Sequence, residues 1–200
     1  DLTNKYGQPR RDSNGPGFAI FGYGKLGGIE LGYGSDLDLV FIYDAAIGGT
    51  TDGERSIDNA LFYTRLGQRM IHIMEARMAM GQLYEVDMRL RPSGNSGMLV
   101  STLQGFASYQ QDSAWTWEHQ ALLRARPVAG SDRIAEAFAG IRDETLRHRV
   151  RRDNLREDVL DMRRRMRREL DDSDDTQFNL KHGQGGIGDL EFIVQYLVLE

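Results

Sequence analysis

Two aspartates separated by one residue stand at the start of a strongly apolar segment. Asp36 and Asp38 flank Leu37, and the apolar run 39–43 follows them. Since residues i and i+2 of a strand face the same side of a sheet, both carboxylates would lie together at the mouth of a buried strand. Two like charges this close repel each other, and divalent cations commonly neutralise such a pair. The pattern therefore predicts a metal-binding strand edge.

A third carboxylate, Asp87, ends another strand-like segment at residues 83–87. Three carboxylates on neighbouring strand ends can hold two Mg²⁺ ions, about 3.5–4 Å apart, for an in-line displacement at phosphorus. We therefore interpret Asp36, Asp38 and Asp87 as catalytic residues and as metal ligands. An isolated Asp-x-Asp is more often a pair of solvated turn residues. Here the glycine-rich turn before the pair and the apolar strand after it favour nucleotidyl transfer.

Five residues near these carboxylates are candidates for binding the phosphates of a nucleotide. The small pair before the first aspartate lets a phosphate approach the backbone, whose N–H groups can bind phosphate oxygens. Cationic side chains supply the remaining candidates. The five are Gly34, Ser35, Lys25, Arg89 and Arg91. For the two arginines, an ion pair within the protein is an equally good interpretation.

The composition is that of an ordinary soluble enzyme. The 200 residues suit one domain, or one domain with part of another, and a hydrophobic fraction of 40% can supply a core. The chain has no cysteine, which excludes disulfides and cysteine-bound metal. The net charge of −5 argues against a general nucleic-acid coat, and no segment is apolar over a membrane-spanning length. We expect a cytoplasmic protein that binds neither nucleic acid nor membrane.

The periodicity of apolar residues, together with the glycines and prolines that end helices and strands, predicts the elements that must position these residues. The predicted strands are 18–21, 37–43 and 82–90. The predicted helices are 26–31, 57–80, 102–111, 115–126, 134–170 and 190–199. The arginine-rich stretch 163–168 reads as a solvated helix face.

Other chemistries find weaker support. Gly22-x-Gly24-x-x-Gly27 with Asp44 matches a dinucleotide-binding pattern, but only about seven helical residues separate the two strands, where a Rossmann crossover needs about a dozen. No Walker-type phosphate loop is present. A zinc protease or a Ser-His-Asp site finds no support either, because the histidines lack ligand spacing and are expected to be structural or exposed. They are His72, His119, His148 and His182.

Five segments together resemble the glutamine synthetase adenylyltransferases. They are residues 24–28, 34–38, 86–94, 117–122 and 181–192, in the order seen in that family. The resemblance implies an α/β (α+β) fold of the DNA polymerase β-like nucleotidyltransferase type, with a mixed sheet flanked by helices and followed by a helical domain. It also implies ATP as substrate, Mg²⁺ or Mn²⁺ as cofactor, a tyrosine of glutamine synthetase as acceptor and a PII-type signalling protein as partner.

Members of that family carry two related halves, one that attaches AMP and one that removes it by phosphorolysis. Segments 84–87 and 114–119 resemble the attaching half more closely. We expect a lead-in segment at 1–16, a nucleotidyltransferase domain at 17–130 and a truncated helical domain at 131–200, because the last helix stops at Glu200 without a cap. The removing half, or a catalytically silent module that binds nucleotide or partner, remains an alternative.

Overall fold

The computed structural model describes residues 2–10, 17–46, 48–150 and 152–200. Its strands are β1 (Phe18–Gly22), β2 (Leu37–Tyr43), β3 (Arg77–Met78), β4 (Gly81–Gln82), β5 (Val86–Asp87), β6 (Val100–Thr102) and β7 (Arg126–Gly130). Its α-helices are α1 (Leu2–Tyr6), α2 (Gly24–Gly27), α3 (Asn59–Glu75), α4 (Leu103–Asp112), α5 (Thr116–Leu122), α6 (Asp132–His148), α7 (Leu155–Leu170) and α8 (Ile187–Leu199). Among these segments, no helix is long and apolar enough to cross a membrane.

A mixed five-stranded sheet forms the centre of the fold. β1 lies between β2 and β7 and runs antiparallel to both. The other edge of β2 is shared by two short parallel strands, β5 beside its first residues and β6 beside its last. Because β1 and β2 are antiparallel, the glycine turn between them cannot be the parallel βαβ unit that a dinucleotide fold requires. The predicted mixed sheet flanked by helices is confirmed.

The two faces of the sheet bury separate sets of side chains. One face packs Phe41 and its neighbours against α3, and the other packs Val40 and its neighbours against α4 and α6. Phe21 stacks on Phe138 of α6 with ring centroids 3.9 Å apart. Every residue of β2 is buried except Asp38, which continues the row of Val40 and Ile42 and is half-buried. The alternation of β2 therefore fixes which way the Asp38 carboxylate faces.

Three predicted elements have different bounds in the structure. α2 covers Gly24–Gly27 instead of 26–31, because Ile29 adopts a left-handed φ of 61° and ends the turn. The helix predicted at 57–80 ends at Glu75, where Ala76 turns to an extended ψ of 124° and a small β3–β4 hairpin follows. The strand predicted at 82–90 is reduced to β4 and β5.

The second half of the chain departs further from the prediction. The helix predicted at 115–126 ends at Leu122 and gives way to β7, and β6 was not predicted at all. The single helix predicted at 134–170 is two helices, α6 and α7. Arg163 lies buried within the stretch expected to be a solvated face, which corrects that prediction, whereas Arg164, Arg165 and Arg168 are exposed as expected.

The described part of the lead-in segment, residues 2–10, contains a helix and a β-bridge. Residues 2–6 form α1, whose Leu2 joins the core, and Pro9 forms a β-bridge with Thr51. The expectation of a loose lead-in was therefore wrong for this part. The apolar side chain of Leu2 is buried in the core, and Leu2 is only 6% exposed. Residues 11–16 lie outside the described part of the chain.

Candidate active site

The three predicted carboxylates meet at one edge of the sheet. One oxygen from each of Asp36, Asp38 and Asp87 lies within 4.8 Å of the other two. The parallel pairing of β2 with β5 produces this meeting, since it sets Leu37 opposite Val86 and Asp38 opposite Asp87. Asp36 is exposed, while the other two carboxylates are half-buried. We call these three residues the acidic triad.

This arrangement disfavours ionisation of the Asp38 carboxyl. Burial, followed by the charges of Asp36 and Asp87, raises the pKa of Asp38 from 3.8 to about 6. Like charges in a desolvated site disfavour ionisation, and a divalent cation reverses that effect. Three carboxylates supply hard oxygen ligands of the kind that Mg²⁺ prefers. The donor set therefore fits a divalent cation.

Arg89 makes a bidentate contact with Asp87. Its Nε donates to Asp87 Oδ2 at 2.8 Å and its backbone N–H donates to Oδ1 at 2.8 Å. The guanidinium hydrogen bond, together with its charge, lowers the pKa of the Asp87 carboxyl below its ordinary value. The Arg89 side chain is otherwise 73% exposed. Arg89 therefore keeps Asp87 ionised and leaves the guanidinium at the open side of the acidic triad.

The glycine turn after β1 lies directly against the acidic triad. Gly24 adopts a left-handed φ of 50°, and a Cβ added there would overlap Asp38 Oδ2. The Tyr23 backbone N–H donates to the carbonyl oxygen of Asp38 at 2.9 Å. Only glycine tolerates both this backbone conformation and this close approach. Gly24 therefore leaves the space that the Asp38 carboxylate occupies.

Two of the predicted phosphate-binding residues lie near each other on the turns beside the acidic triad. Lys25 is exposed, and its Nζ lies 3.5 Å from the Ser35 hydroxyl oxygen. Gly34 has a φ of 71° and open space where a side chain would stand. The Ser35 backbone N–H already donates to the Gly32 carbonyl oxygen at 3.2 Å. A phosphate can approach Gly34 closely, while the Ser35 N–H would first have to leave its partner.

Arg91 points into the turn that follows β5. Its Nη1 donates to the Met88 carbonyl oxygen at 2.7 Å, and its half-buried side chain leaves Nε without a partner. This contact is to a carbonyl oxygen and not to a carboxylate, so it gives Arg91 a structural partner without the ion pair that was the alternative to phosphate binding. Its assignment to the nucleotide site stays a prediction.

Two open clefts adjoin the acidic triad. A cleft of about 400 Å³ is lined by Asp36, Glu85, Val86, Asp87, Met88, Arg89 and Asn95. A cleft of about 710 Å³ is lined by Leu31, Gly32, Tyr33, Gly34, Ser35, Gln82, Leu83, Tyr84 and Glu85. Both clefts include Glu85, so they are neighbours, and the smaller one is lined by Asp36 and Asp87 of the acidic triad.

The histidines take no part in this site. His119 is buried, with Nε2 3.1 Å from the Gln110 carbonyl oxygen, and His182 is half-buried. His72 and His148 are exposed, so the expectation of structural or exposed histidines is confirmed for these two and for His119, and for His182 it stays a prediction.

Three residues that contact or influence the site were not among the predicted site residues. They are Gly24, Arg124 and Lys181, and the first and third stand within segments already noted for their resemblance. No local signal marks Arg124. Its ion pairs join parts of the chain that are distant in sequence.

A mixed sheet that presents three carboxylates at one edge, beside a glycine turn, defines a nucleotidyltransferase. Comparison with known proteins agrees. The family model described as glutamate-ammonia ligase adenylyltransferase matches residues 1–141. A bifunctional glutamine synthetase adenylyltransferase/adenylyl-removing enzyme of Thioalkalivibrio sulfidiphilus (strain HL-EbGR7) is 56% identical over 203 residues. The chain therefore belongs to the glutamate-ammonia ligase adenylyltransferase family, which confirms the resemblance.

The matched regions define how far these similarities extend. The alignment covers 99% of this chain but 21% of the Thioalkalivibrio protein, so the chain spans about a fifth of that relative's length. A model described as GlnD PII-uridylyltransferase matches residues 153–199. A solved structure described as the toxin-antitoxin with AMP-PNP aligns over 80% of this chain and 93% of its own, with 17% identity and a TM-score of 0.36.

Proposed function

We propose that this chain transfers AMP from ATP to a tyrosine hydroxyl of glutamine synthetase, with release of pyrophosphate, and so controls nitrogen assimilation. The observation that carries the proposal is the meeting of Asp36, Asp38 and Asp87 within 4.8 Å in a member of an adenylyltransferase family. A module that only binds nucleotide or a partner has little need for all three carboxylates. Their convergence supports catalysis over the silent alternative.

The acidic triad would hold Mg²⁺ or Mn²⁺. When bound, the cation neutralises the carboxylates and withdraws charge from phosphate oxygens at the reacting centre. Asp38 would contribute an oxygen ligand from the buried side, in the space that the missing Cβ of Gly24 leaves for it. Asp87 would contribute from β5, kept ionised by Arg89.

The transfer replaces a phosphoanhydride bond of ATP by a phosphoester bond to tyrosine. The tyrosine oxygen forms a bond to the α-phosphorus of ATP, and the bond from that phosphorus to the oxygen bridging the β-phosphate breaks. Pyrophosphate leaves with that oxygen, and the phenolic proton passes to water. Lys25, Arg89 and the turn at Gly34 and Ser35 would hold the phosphates, because cations and oriented backbone dipoles stabilise the charge that spreads over them.

We assign the chain to the AMP-attaching half. The support is the resemblance of the sequences of segments 84–87 and 114–119 to the attaching half. The removing half would use the same carboxylates, with inorganic phosphate attacking the α-phosphorus of adenylylated tyrosine to yield ADP. We further propose a nucleotidyltransferase domain at 17–130, a helical domain at 131–200, a cytoplasmic location and a PII-type signalling protein as regulatory partner.

Thermal unfolding with nucleotide tests the substrate class. ATP with Mg²⁺ should raise the melting temperature, since a ligand that binds only the folded state stabilises it by mass action. ATP with EDTA should raise it less, and NADH should leave it unchanged. A shift with NADH and none with Mg-ATP would contradict the proposal and support a dinucleotide site.

A further inference from the structure

The glycine turn beside the acidic triad is a short element that other parts of the chain must hold in place. α2 has only four residues, Gly24–Gly27, and a single helical turn is unstable by itself, because its formation fixes several residues for few hydrogen bonds. The side chain of Tyr23, which precedes the turn, makes no capping hydrogen bond. The last carbonyl oxygens of a helix lack partners within the helix. The position of the turn therefore depends on contacts from elsewhere in the chain.

Arg126, the first residue of β7, supplies such contacts. Its Nε donates to the Gly27 carbonyl oxygen at 3.1 Å, and its Nη2 donates to the Leu26 carbonyl oxygen at 2.9 Å. Arg126 is half-buried, and the pairing of β1 with β7 fixes its backbone opposite Gly22. A Cβ on Gly27 would overlap the Arg124 carbonyl oxygen, so the turn packs directly on the segment that enters β7. One guanidinium therefore binds both carbonyl oxygens at the end of α2.

The opposite end of the same turn contacts the acidic triad. The missing Cβ of Gly24 leaves the space that the Asp38 carboxylate occupies, and the Tyr23 N–H donates to the Asp38 carbonyl oxygen at 2.9 Å. Lys25 lies within the turn, and its Nζ is 3.5 Å from the Ser35 hydroxyl oxygen. The guanidinium and the acidic triad thus contact the two ends of one turn, and the lysine is carried between them.

We infer that Arg126 is a positioning residue of the nucleotide site, which acts through the glycine turn by holding Lys25 where its ammonium binds the triphosphate of ATP. The inference rests on the proposed function. Arg126 itself is bound to the carbonyl oxygens of the turn, and the described residues that line the two clefts beside the acidic triad do not include it. Its effect on ATP affinity should therefore depend on Lys25, whereas a residue that touched the phosphates itself would act independently of Lys25.

A double-mutant cycle tests this inference, with ATP affinity measured by calorimetric titration in the presence of Mg²⁺. Lys25→Met should weaken ATP binding by about tenfold or more, as expected for the loss of a hydrogen bond between charged groups. Arg126→Met should weaken it by a similar factor, and the double variant should bind ATP within about threefold of Lys25→Met alone. Arg126→Lys keeps the charge but not the planar fork, so its ATP affinity should lie between those of the unmodified chain and Arg126→Met.

Arg142 provides a matched control for the loss of the guanidinium. From α6, its Nε donates to the Leu122 carbonyl oxygen at 3.0 Å and its Nη2 to the Leu123 carbonyl oxygen at 2.6 Å, so it makes the same pair of contacts at the end of α5. Arg142→Met should lower the melting temperature about as much as Arg126→Met and leave the ATP affinity unchanged. Equal losses of ATP affinity in these two variants would show a merely structural role for Arg126 and overturn the inference.

The remaining outcomes separate this inference from the proposed function. Additive effects of Lys25→Met and Arg126→Met, or an unchanged ATP affinity in either single variant, would overturn the inference and leave the proposed function standing. The predicted affinities without transfer of AMP to glutamine synthetase would support the inference and contradict the proposed function. Absence of ATP binding by the unmodified chain would contradict both. Thermal unfolding checks that each variant is folded, and Arg126→Lys takes the place of Arg126→Met in the cycle should the methionine variant not fold.

Discussion

Asp38 and Asp87 lie opposite each other in the register of the parallel strands β2 and β5. Only two residue pairs form this ladder, yet it places the Asp87 carboxylate beside the Asp38 carboxylate. A shift of one residue would present Val86 or Met88 in place of Asp87, because successive side chains of a strand face opposite sides. The short pairing is therefore the structural requirement for the acidic triad.

Replacing Asp36 and Asp38 together by asparagine should abolish transfer without unfolding the chain. The variant loses metal ligands, while the loss of like-charge repulsion leaves the free energy of unfolding unchanged or slightly higher. Transfer of labelled AMP and thermal unfolding measure the two effects. Asp143→Asn, at an exposed residue of α6, is the control and should keep activity. Near-normal turnover of the double variant with Mg²⁺ would disprove the metal-binding role.

The raised pKa of Asp38 predicts a particular dependence of stability on pH. Its pKa in the folded chain, about 6, exceeds its ordinary value of 3.8, so the folded state favours the protonated form. The resulting stabilisation is complete below pH 3.8 and is lost as the pH rises through about 6. Denaturant unfolding in EDTA should therefore show Asp38→Asn gaining stability over the unmodified chain between pH 4 and pH 7.

Two further results limit the alternatives for this pH effect. Asp87 has a lowered pKa, so its stabilisation is lost only as the pH falls below its ordinary value, outside the window in which Asp38 acts. Saturating Mg²⁺ should reverse the advantage of Asp38→Asn at pH 7, because the unmodified chain keeps all three carboxylates and is stabilised more by binding the cation. A difference between variant and unmodified chain that is independent of pH in EDTA would contradict the assigned cause.

Gly24→Ala should impair transfer far more than stability. The added Cβ overlaps Asp38 Oδ2, and a displacement of about 1 Å at a reacting centre can reduce the rate about 100-fold. Gly48→Ala is the matched control, because Gly48 also has a positive φ, of 69°, but has open space around its Cβ position. It should lose about 1 kcal/mol of stability from backbone strain and keep its activity. Equal activities of the two variants would refute the positioning role of Gly24.

The ion pairs of Asp189 should stabilise the chain much more than an exposed pair on α7. Asp189 accepts from Arg163 at 2.6 Å and from Arg167 at 2.8 Å, and the Arg163 side chain is only 8% exposed. Asp189→Asn should lower the free energy of unfolding by about 2–4 kcal/mol, since it leaves a buried guanidinium without its counter-charge. Asp161→Asn breaks the exposed pair with Arg164 and should cost less than about 0.5 kcal/mol. Similar small losses in both variants would contradict this account.

The central strands were predictable because their pattern is local. The run from Leu39 to Tyr43 is apolar on both faces, as a strand buried on both sides must be, and the carboxylates of Asp36 and Asp38 before it could be placed from spacing alone. β6 and β7 were not predictable in this way. Each is short, and each forms by pairing with a strand distant in sequence, so its conformation is set by tertiary contacts.

Arg163 and Gly24 illustrate the same limit. From sequence, a run of arginines predicts a solvent-exposed helix face. Arg163 is buried because it donates hydrogen bonds to Asp189 and to the His182 carbonyl oxygen, which are distant in sequence. Likewise, Gly24 could be recognised as part of a glycine turn, but its contact with Asp38 depends on the antiparallel pairing of β1 and β2. Pairwise contacts of this kind leave no periodic signal in the sequence.

Direction of transfer is the measurement that tests the central proposal most directly. The chain is incubated in one reaction with unmodified glutamine synthetase, labelled ATP and Mg²⁺, and in another with adenylylated glutamine synthetase and inorganic phosphate. We predict labelled AMP on glutamine synthetase in the first reaction and little ADP in the second, with both signals absent from the Asp36→Asn, Asp38→Asn variant. Efficient release of ADP without attachment of AMP would show that the chain is the removing half and would contradict the proposal.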